Sequence, residues 1–289
     1  MTKTNKKGLI TVALCAVILA VGLLSAYIIR YEFWRIYGFF DGIGKGETGL
    51  VSELAMDEAE TYRVNISEIR TADGVSFSNI MWLVNADHPL SEEDVPVVAA
   101  VDDKNSVSTY AFYDLQRLFS EVKSKFGKDL LLTSTYRTRE YQAWVYENNP
   151  FAVPAGTSEH ETGLAVDVKI EGYPQKRFIN SNVGRWVAKN SYKFGFIIRY
   201  PSYGKSSTGI KFEPWHIRYV GKPHAAIIYN DRLTLEKYID SFETGEWYSA
   251  DGYLISRQTV GESVTMPKAF GSAVISPDNT GCYIITVKQ

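Results

Sequence analysis

His160 and Asp167 stand seven positions apart in the stretch "GTSEHETGLAVDV", residues 156–168. The aspartate interrupts an apolar run that otherwise reads as a buried strand. A carboxylate in such a place costs on the order of several kcal/mol unless something positive holds it. A second stretch, "EPWH", offers Glu213 and His216. Three positions apart on a regular strand, the two would point to opposite faces, but Pro214 breaks the strand and a turn there aims both at one point. Two histidines and a carboxylate make three protein ligands with one coordination position left for water, the arrangement of a catalytic zinc. Glu213, next to the last ligand, is where a general base for that water belongs. A metal ion is then the positive partner that lets Asp167 occupy its strand. A 2-His-1-carboxylate iron site would use the same donor types. In that type, however, the first histidine and the carboxylate lie closer together, and Glu213 has no task. The other histidines, His88 in "NADHPL" and His224 in "GKPHAA", lack such company and read as structural.

Arg137, in "STYRTREYQ", lies where a buried strand ends and a helix begins, a common place for a residue that projects into a cleft. A guanidinium there can hold a substrate carboxylate bidentately or stabilise an oxyanion. It can equally form a surface ion pair with Glu140 or Glu147, and spacing leaves the two readings open. Gln142, Ser158 and Trp215 are further candidates for lining the cleft, each with a structural reading beside the functional one.

The elements that must position these groups follow from periodicity. "YAFYDLQRLFSEVKSKF" sets Leu115, Leu118, Phe119, Val122 and Phe126 at helical spacing and closes on Gly127. "DLLLTSTYR" reads as a short buried strand, "TREYQAWVYENN" as a helix from about Thr138, and "GLAVDVKI" as the next strand. "GRWVAKNSYKFG" predicts a helix leading into the extended "FIIRYP", and "KFEPWHIRYVG" another extended segment with a proline break. "HAAIIYNDRLTLEKYIDSF" predicts one last helix ending near Phe242. Short crossovers and unevenly segregated helices favour an α+β fold with a mainly antiparallel sheet over a doubly wound one. Residues 243–289 are strand-like, with a turn at "PDNTG", and predict a small β appendage.

Ahead of this domain, "GLITVALCAVILAVGLLSAYII" (8–29) is 22 residues without a charge. At 1.5 Å per residue a helix of that length crosses a bilayer core of roughly 30 Å. It is longer than the apolar core of a cleaved signal peptide, and no clear small-residue cleavage site precedes Arg30. The expectation is a single-pass anchor: residues 1–7 a cytoplasmic tail, 8–29 the span, 30–70 an extracytoplasmic stalk that includes the glycine-rich "GFFDGIGKGETG", 71–242 the metal-bearing domain, and 243–289 the appendage. Lysines before the span and mixed charge after it place the downstream chain outside. Lys3, Lys6, Lys7 and Arg30 are the charged residues of the first thirty; with those four set aside, 27 basic and 33 acidic side chains remain, a net of −6. Nothing there calls for nucleic acid as a partner. The two cysteines, Cys15 and Cys282, are too far apart in this organisation to meet, so no disulfide staples the domain and no thiolate holds its metal.

"SEHETGLAVD" resembles the S-x-H-x-x-G-x-A-x-D signature of the VanY-type zinc D-Ala-D-Ala carboxypeptidases, and "FEPWHIRYVG" resembles their E-P-W-H block. "LVNADHPL", "STYRTREYQ", "PAGTSEH" and "GFIIRYP" are similar to further segments of that family in the same order, so the resemblance runs from about Ile80 to Asp240. It implies a compact α+β fold shared with lysostaphin-like and hedgehog domains, and one zinc per chain on His160, Asp167 and His216. It also implies Glu213 as catalytic base, Arg137 for the substrate carboxylate or oxyanion, and cleft positions for Gln142, Ser158 and Trp215. The implied substrates are peptidoglycan precursor peptides ending in D-Ala-D-Ala, with a contribution to glycopeptide resistance as a further expectation. A D,D-dipeptidase or cross-link-cleaving endopeptidase would use the same metal set, and a zinc-containing cell-wall binding module would keep the fold without the cleavage. The chain departs from the family pattern between "YQ" and "GTSEH", where "AWVYENNPFAVPA" is short and lacks an arginine-rich approach; this bears on the shape of the cleft.

Overall fold

The computed structural model of the chain describes residues 3–43, 51–54, 56 and 60–289. Residues 1 and 2 of the expected tail and the glycine-rich 44–50 lie outside the described residues. The apolar segment forms α1 (Lys3–Tyr27), which passes through a π-helical turn, Ile28–Glu32, into α2 (Phe33–Gly42). The stretch Ile10–Asp41 is one helix long and apolar enough to cross a membrane. From Ile10 to Tyr27 every side chain is exposed; from Ile28 onward one face is covered by the body of the protein.

The body is α+β, as the pattern predicts. α3 (Thr109–Phe126) buries Ala111, Leu115, Leu118 and Val122, and ends on Gly127 at φ 64°, the left-handed conformation that closes a helix without a Cβ penalty. β1 (Leu131–Ser134) leads to α4 (Arg139–Asn148), whose N-terminus is capped by the Thr138 hydroxyl accepting from the Tyr141 amide at 3.2 Å. Then come β2 (Ala165–Lys169), α5 (Asn182–Asn190), β3 (Phe196–Ile198) and β4 (His216–Tyr219). The four strands form one antiparallel sheet in the order β1-β2-β4-β3. The expected last helix is two: α6 (Lys222–Asn230) and α7 (Leu235–Asp240). Arg232 between them adopts φ 55°, which a continuous helix cannot accommodate, and the Thr234 hydroxyl caps the second piece.

The largest departure from the sequence reading concerns the stalk and the appendage, which interlock. The 243–289 segment does form strands, but its sheet takes in two outlying pieces. In order across the sheet these are 52–54, 247–250, 253–259, 282–288, 272–277 and 75–77. Strand 61–65 pairs with 263–267 in addition. The turn at "PDNTG" is where expected, with Asn279 at φ 62° and Gly281 at φ 93°. This β unit is continuous with the body: Tyr248, Ala250, Ile255 and Ile284 belong to the same buried cluster as α3 and the four-stranded sheet. Cys282 is buried, Cys15 exposed, and both are free.

His224, on α6, is buried at this junction. Its Nδ1 lies 2.6 Å from the Tyr238 hydroxyl and its Nε2 2.9 Å from Thr286 Oγ1 of the C-terminal sheet. Burial without a charged partner pushes its pKa down from 6.5 to about 3. Because the folded pKa lies below the unfolded one, the stabilisation is complete above about pH 6.5 and is lost as pH falls from there toward 3. Urea unfolding between about pH 7 and about pH 4 should therefore show wild type losing on the order of 1 kcal/mol per pH unit more than His224→Gln. Parallel pH slopes for the two proteins would remove His224 from the acid response.

Candidate metal centre and catalytic cleft

Three local structures converge on one point. Asp167 lies mid-strand in β2, and the register sets it opposite His216 on β4 and Ser134 on β1, where a bulge between Leu132 and Ser134 shifts the pairing. Direct cross-strand neighbours have side chains within contact of each other, so His216 Nδ1 reaches Asp167 Oδ1 at 2.9 Å. His160 comes from a 3₁₀ turn, Glu159–Thr162, that ends on Gly163 at φ 66°. A Cβ there would lie 2.8 Å from the Ser108 amide nitrogen, so only glycine lets the chain swing from this turn into β2. The turn brings His160 Nε2 to 3.6 Å from Asp167 Oδ2. The two imidazole rings stand 5.0 Å apart at 81°. One ligand atom from each of His160, Asp167 and His216 lies within 4.8 Å of the others.

The hydrogen bonds around these groups suit a cation. His160 Nδ1 is 3.0 Å from the Thr135 carbonyl, which can only accept, so the proton is on Nδ1 and the lone pair of Nε2 faces Asp167. On His216 the roles are exchanged: Nδ1 faces Asp167, while Nε2 points toward Glu159 Oε2 at 3.6 Å. Those two atoms, His216 Nε2 and Glu159 Oε2, are buried without any other partner. Burial opposes charge on His216, but the Asp167 and Glu159 carboxylates that flank it lift its pKa to about 9. Burial opposes charge on Asp167 too, and the two imidazoles hold it well below the usual carboxylate range. Two nitrogen donors and a carboxylate that is kept ionised form a set a divalent metal fits.

Glu213 enters through a turn. Its carbonyl accepts from the His216 amide at 3.1 Å, and its own amide donates to the Tyr200 carbonyl at 3.0 Å. The turn carries Glu213 and His216 into the same cleft, as the proline break suggests. Desolvation, opposed by His216 and reinforced by Asp167, raises the Glu213 carboxyl to about 7, the range in which a carboxylate can take up and release a proton near neutrality.

Arg137 faces the cleft. Its Nη1 donates to Gln142 Oε1 at 2.9 Å, and its Nε and Nη2 donate to Ser134 Oγ at 3.1 and 2.7 Å. Among the described residues it makes no ion pair with Glu140 or Glu147, the alternative that spacing left open. Gln142 is wholly buried, and its Nε2 donates to the Val153 carbonyl at 2.7 Å, so it ties the arginine to the 149–155 loop. Ser158 is buried at the start of the 3₁₀ turn, and Trp215 is half-buried beside the ligand it precedes. All eight candidates, His160, Asp167, His216, Glu213, Arg137, Gln142, Ser158 and Trp215, line one cavity of about 220 Å³. Phe151, 93% exposed, stands at its mouth on the 149–155 loop. A second cavity, of about 300 Å³ under α2, is lined mostly by apolar and aromatic side chains.

The sequence reading missed the support behind the ligands. Glu159 is fully buried; its Oε1 accepts from Arg199 Nε at 2.7 Å and from Arg218 Nη1 at 2.6 Å. Arg199 is gripped on its other side by both oxygens of Glu236, at 2.9 and 2.6 Å. Arg218 also donates to the Ile80 and Trp82 carbonyls at 3.1 and 2.7 Å. The two arginines hold the Glu159 carboxyl well below its ordinary value against the opposing effect of burial. Glu159 thus places a carboxylate oxygen 3.6 Å behind His216 Nε2, which favours a proton on that nitrogen, while Nδ1 faces Asp167. Tyr200, with its ring 5.0 Å from that of His216, completes the wall.

The part of the chain that carries this cleft is similar to known proteins. A model of the VanY family, described as D-alanyl-D-alanine carboxypeptidase, matches residues 104–222. The chain is 31% identical over 220 residues to a D-alanyl-D-alanine carboxypeptidase of Enterococcus faecium, covering 68% of this chain and 72% of that one. The vancomycin resistance D,D-dipeptidase VanXYg, solved with a D-Ala-D-Ala phosphinate analogue, shares the fold with a TM-score of 0.65 over 80% of this chain and 99% of its own, at 22% identity. VanYB in complex with D-alanine-D-alanine is 32% identical with a TM-score of 0.50, covering 57% of this chain and 99% of that one.

The buried charge cluster predicts a stability effect. Glu159→Ala removes the shared acceptor of two buried guanidinium groups and should lower stability by about 3 to 5 kcal/mol, the cost of stranding a buried charge. Thermal unfolding of the variant at the wild-type midpoint would show that the arginines do not depend on this carboxylate.

Proposed function

The chain belongs to the VanY family of D-alanyl-D-alanine carboxypeptidases, and on that premise we propose that it is a membrane-anchored, extracytoplasmic zinc enzyme removing the terminal D-Ala from peptidoglycan precursor peptides. The observation that carries the reading is the convergence of His160, Asp167 and His216, with Glu213 at a raised pKa in the same cavity. The α1 surface, apolar and exposed on every side from Ile10 to Tyr27, supports the anchor, and the lysines before it support the orientation. A contribution to glycopeptide resistance is part of the same proposal.

One zinc ion held by His160, Asp167 and His216 would supply Lewis acidity, lowering the pKa of water and polarising the scissile carbonyl. Glu213 accepts a proton from the attacking water as its oxygen bonds to the penultimate D-Ala carbonyl carbon. It then gives that proton to the departing amine as the C–N bond breaks. Arg137, fixed by Ser134 and Gln142, offers its guanidinium to the terminal carboxylate or to the tetrahedral oxyanion. Gln142 holds both that arginine and the loop of Phe151, so carboxylate recognition and the cleft mouth share one support. Ser158 and Trp215 line the cleft on either side of the ligands.

Mass spectrometry of a muramyl pentapeptide after incubation with the zinc-loaded protein should show loss of one alanine; an unchanged peptide would refute the assigned reaction. Metal content separates ligands from base. His160→Ala and His216→Ala should lose zinc, whereas Glu213→Gln should keep it and lose turnover by roughly 10²- to 10⁴-fold, the range for general acid–base catalysis. Zinc retained at full occupancy in both histidine variants would dismiss the ligand set.

Arg137→Lys tests the carboxypeptidase character. A lysine ammonium cannot copy two parallel hydrogen bonds. The variant should fold and keep zinc but lose on the order of 2 to 4 kcal/mol of transition-state stabilisation if the arginine meets the oxyanion. If it serves only the ground-state carboxylate, KM should rise with kcat unchanged. Unaltered kinetics, together with amidated peptides cut as fast as free ones, would point to an endopeptidase.

A further inference from the structure

The helix that leaves the apolar span docks onto the rim of the cleft. Burial along it begins at Ile28 and recurs at Glu32, Phe33, Trp34, Tyr37 and Asp41, one helical face. That face meets a 3₁₀ helix, Gln175–Asn180, whose first residue lines the catalytic cavity. Asn180 Nδ2 donates to the Arg30 carbonyl at 2.9 Å. Further along α2, the Tyr37 ring stacks at 10° on Phe212, the residue before Glu213. Asp41 accepts from Ser202 Oγ at 2.7 Å and from Arg232. The anchor is therefore seated against the body and touches the segments that carry both walls of the cleft.

Cations and rings alternate along this seat. Arg30 and Arg177 lie over Tyr31 at 5.7 and 5.6 Å, and Arg35 and Lys176 lie over Trp34 at 5.3 and 5.2 Å. Arg185 lies over Phe33 at 5.4 Å. Arg30, Arg35 and Lys176 are exposed, Arg35 to 69% of its side chain. The carboxylate on these turns is Glu32, paired with Arg35 at 3.0 Å; Asp41, at the far end, faces Ser202 and Arg232. This concentration of positive charge belongs to a chain whose net outside the first thirty residues is −6. It begins where the 8–29 span ends, the level at which aromatic rings and basic side chains meet phospholipid headgroups. From Asn180 back to Gln175 the 3₁₀ helix runs about 10 Å, so one short element joins the helix that leaves the span to the cavity rim.

We propose that Arg30, Arg35, Lys176 and Arg177 form a collar that binds anionic phospholipid headgroups and holds the cleft against the bilayer. The enzyme thereby favours a D-Ala-D-Ala-terminated peptide tethered to that membrane over the same peptide in solution. This rests on the reading of residues 8–29 as a span and of the cleft as a carboxypeptidase site. Tethering both partners to one surface raises their effective concentration, and the collar fixes the height and tilt at which the cleft meets the peptide.

The test uses the full chain, zinc-loaded, in nanodiscs of phosphatidylcholine alone or with phosphatidylglycerol. Wild type and Lys176→Glu/Arg177→Glu are given a D-Ala-D-Ala peptide with and without a lipid tail, and acylation of Lys176 is followed by mass spectrometry. In wild type, phosphatidylglycerol should shield Lys176 and raise the ratio of tethered to free cleavage several-fold. The double variant should lose that rise and keep the wild-type rate on free peptide. A ratio indifferent to lipid charge and to the substitutions, with Lys176 equally reactive in both discs, overturns the collar. Failure to cut the free peptide in any disc would instead refute the carboxypeptidase reading.

Discussion

Asp167 is a full negative charge in the middle of a four-stranded sheet, and the surrounding structure is organised around holding it there. A largely desolvated strand position rejects an ion unless opposite charge and hydrogen bonds surround it. Two imidazoles supply that environment, one delivered by sheet register and one by a 3₁₀ turn that only a glycine can terminate. Asp167 accordingly stays ionised. Its charge does not end the chain of requirements. His216 must present Nδ1 forward, which obliges its Nε2–H to find an acceptor behind. The carboxylate behind it, Glu159, with Oε2 3.6 Å from Nε2, is a second buried charge, and Arg199 and Arg218 hold it. Glu236 then closes the network at the far side of Arg199. One carboxylate in a strand thus determines the identities of residues on four separate segments.

The parts of this arrangement that were legible in the sequence share one property: a charged or ligating side chain in a place where periodicity says apolar. Asp167 in "GLAVDV" and the glutamate–histidine pair around Pro214 announce themselves this way. Arg199 in "FIIRYP" and Arg218 in "HIRYVG" send the same signal, an ion inside a buried strand, and could have been taken up by asking which anion they serve. Glu159 carries no such mark, because its neighbours are polar and its burial comes from packing in three dimensions. The α+β class and most element boundaries followed from periodicity, which is local. The pairing of 52–54 with 247–250, and of 75–77 with 272–277, joins segments almost 200 residues apart. Strands of three residues have too few positions to show alternation, so a segment that looks like a linker can be an edge strand.

That interlocking changes what counts as the catalytic unit. Boundaries drawn from family motifs alone would run from the segment before α3 to α7. Cutting there would uncover Tyr248, Ala250, Ile255 and Ile284, which pack into the same cluster as Leu115, Val166 and Ile217. The Asn279 side chain, on the turn of the C-terminal hairpin, donates to the Leu83 and His88 carbonyls and so fastens the 83–88 segment to the C-terminal sheet. Such long-range pairings cost loop-closure entropy before they are rewarded, so the amino-terminal strands can dock only after the carboxy-terminal sheet exists to receive them.

A single hydroxyl ties the proposed substrate-binding arginine to the candidate metal site. Ser134 Oγ accepts from both Nε and Nη2 of Arg137 and lies 3.5 Å from His160 Nδ1, whose proton goes to the Thr135 carbonyl. Ser134 is also the cross-strand neighbour of Asp167, at the bulge that shifts β1. The arginine proposed to read the terminal carboxylate is therefore positioned by the residue that faces the central ligand, and Gln142 fixes its other end to the Phe151 loop. Burial disfavours charge on this guanidinium, with Asp167 the largest opposing influence. An incoming carboxylate would meet a cation that is partly desolvated and already oriented, so little reorganisation is required when it binds. Under the proposed role the same rigidity sets a geometric limit: a peptide whose carboxylate is absent or displaced by another residue leaves a partly buried guanidinium in the cleft without that anion, which disfavours the complex.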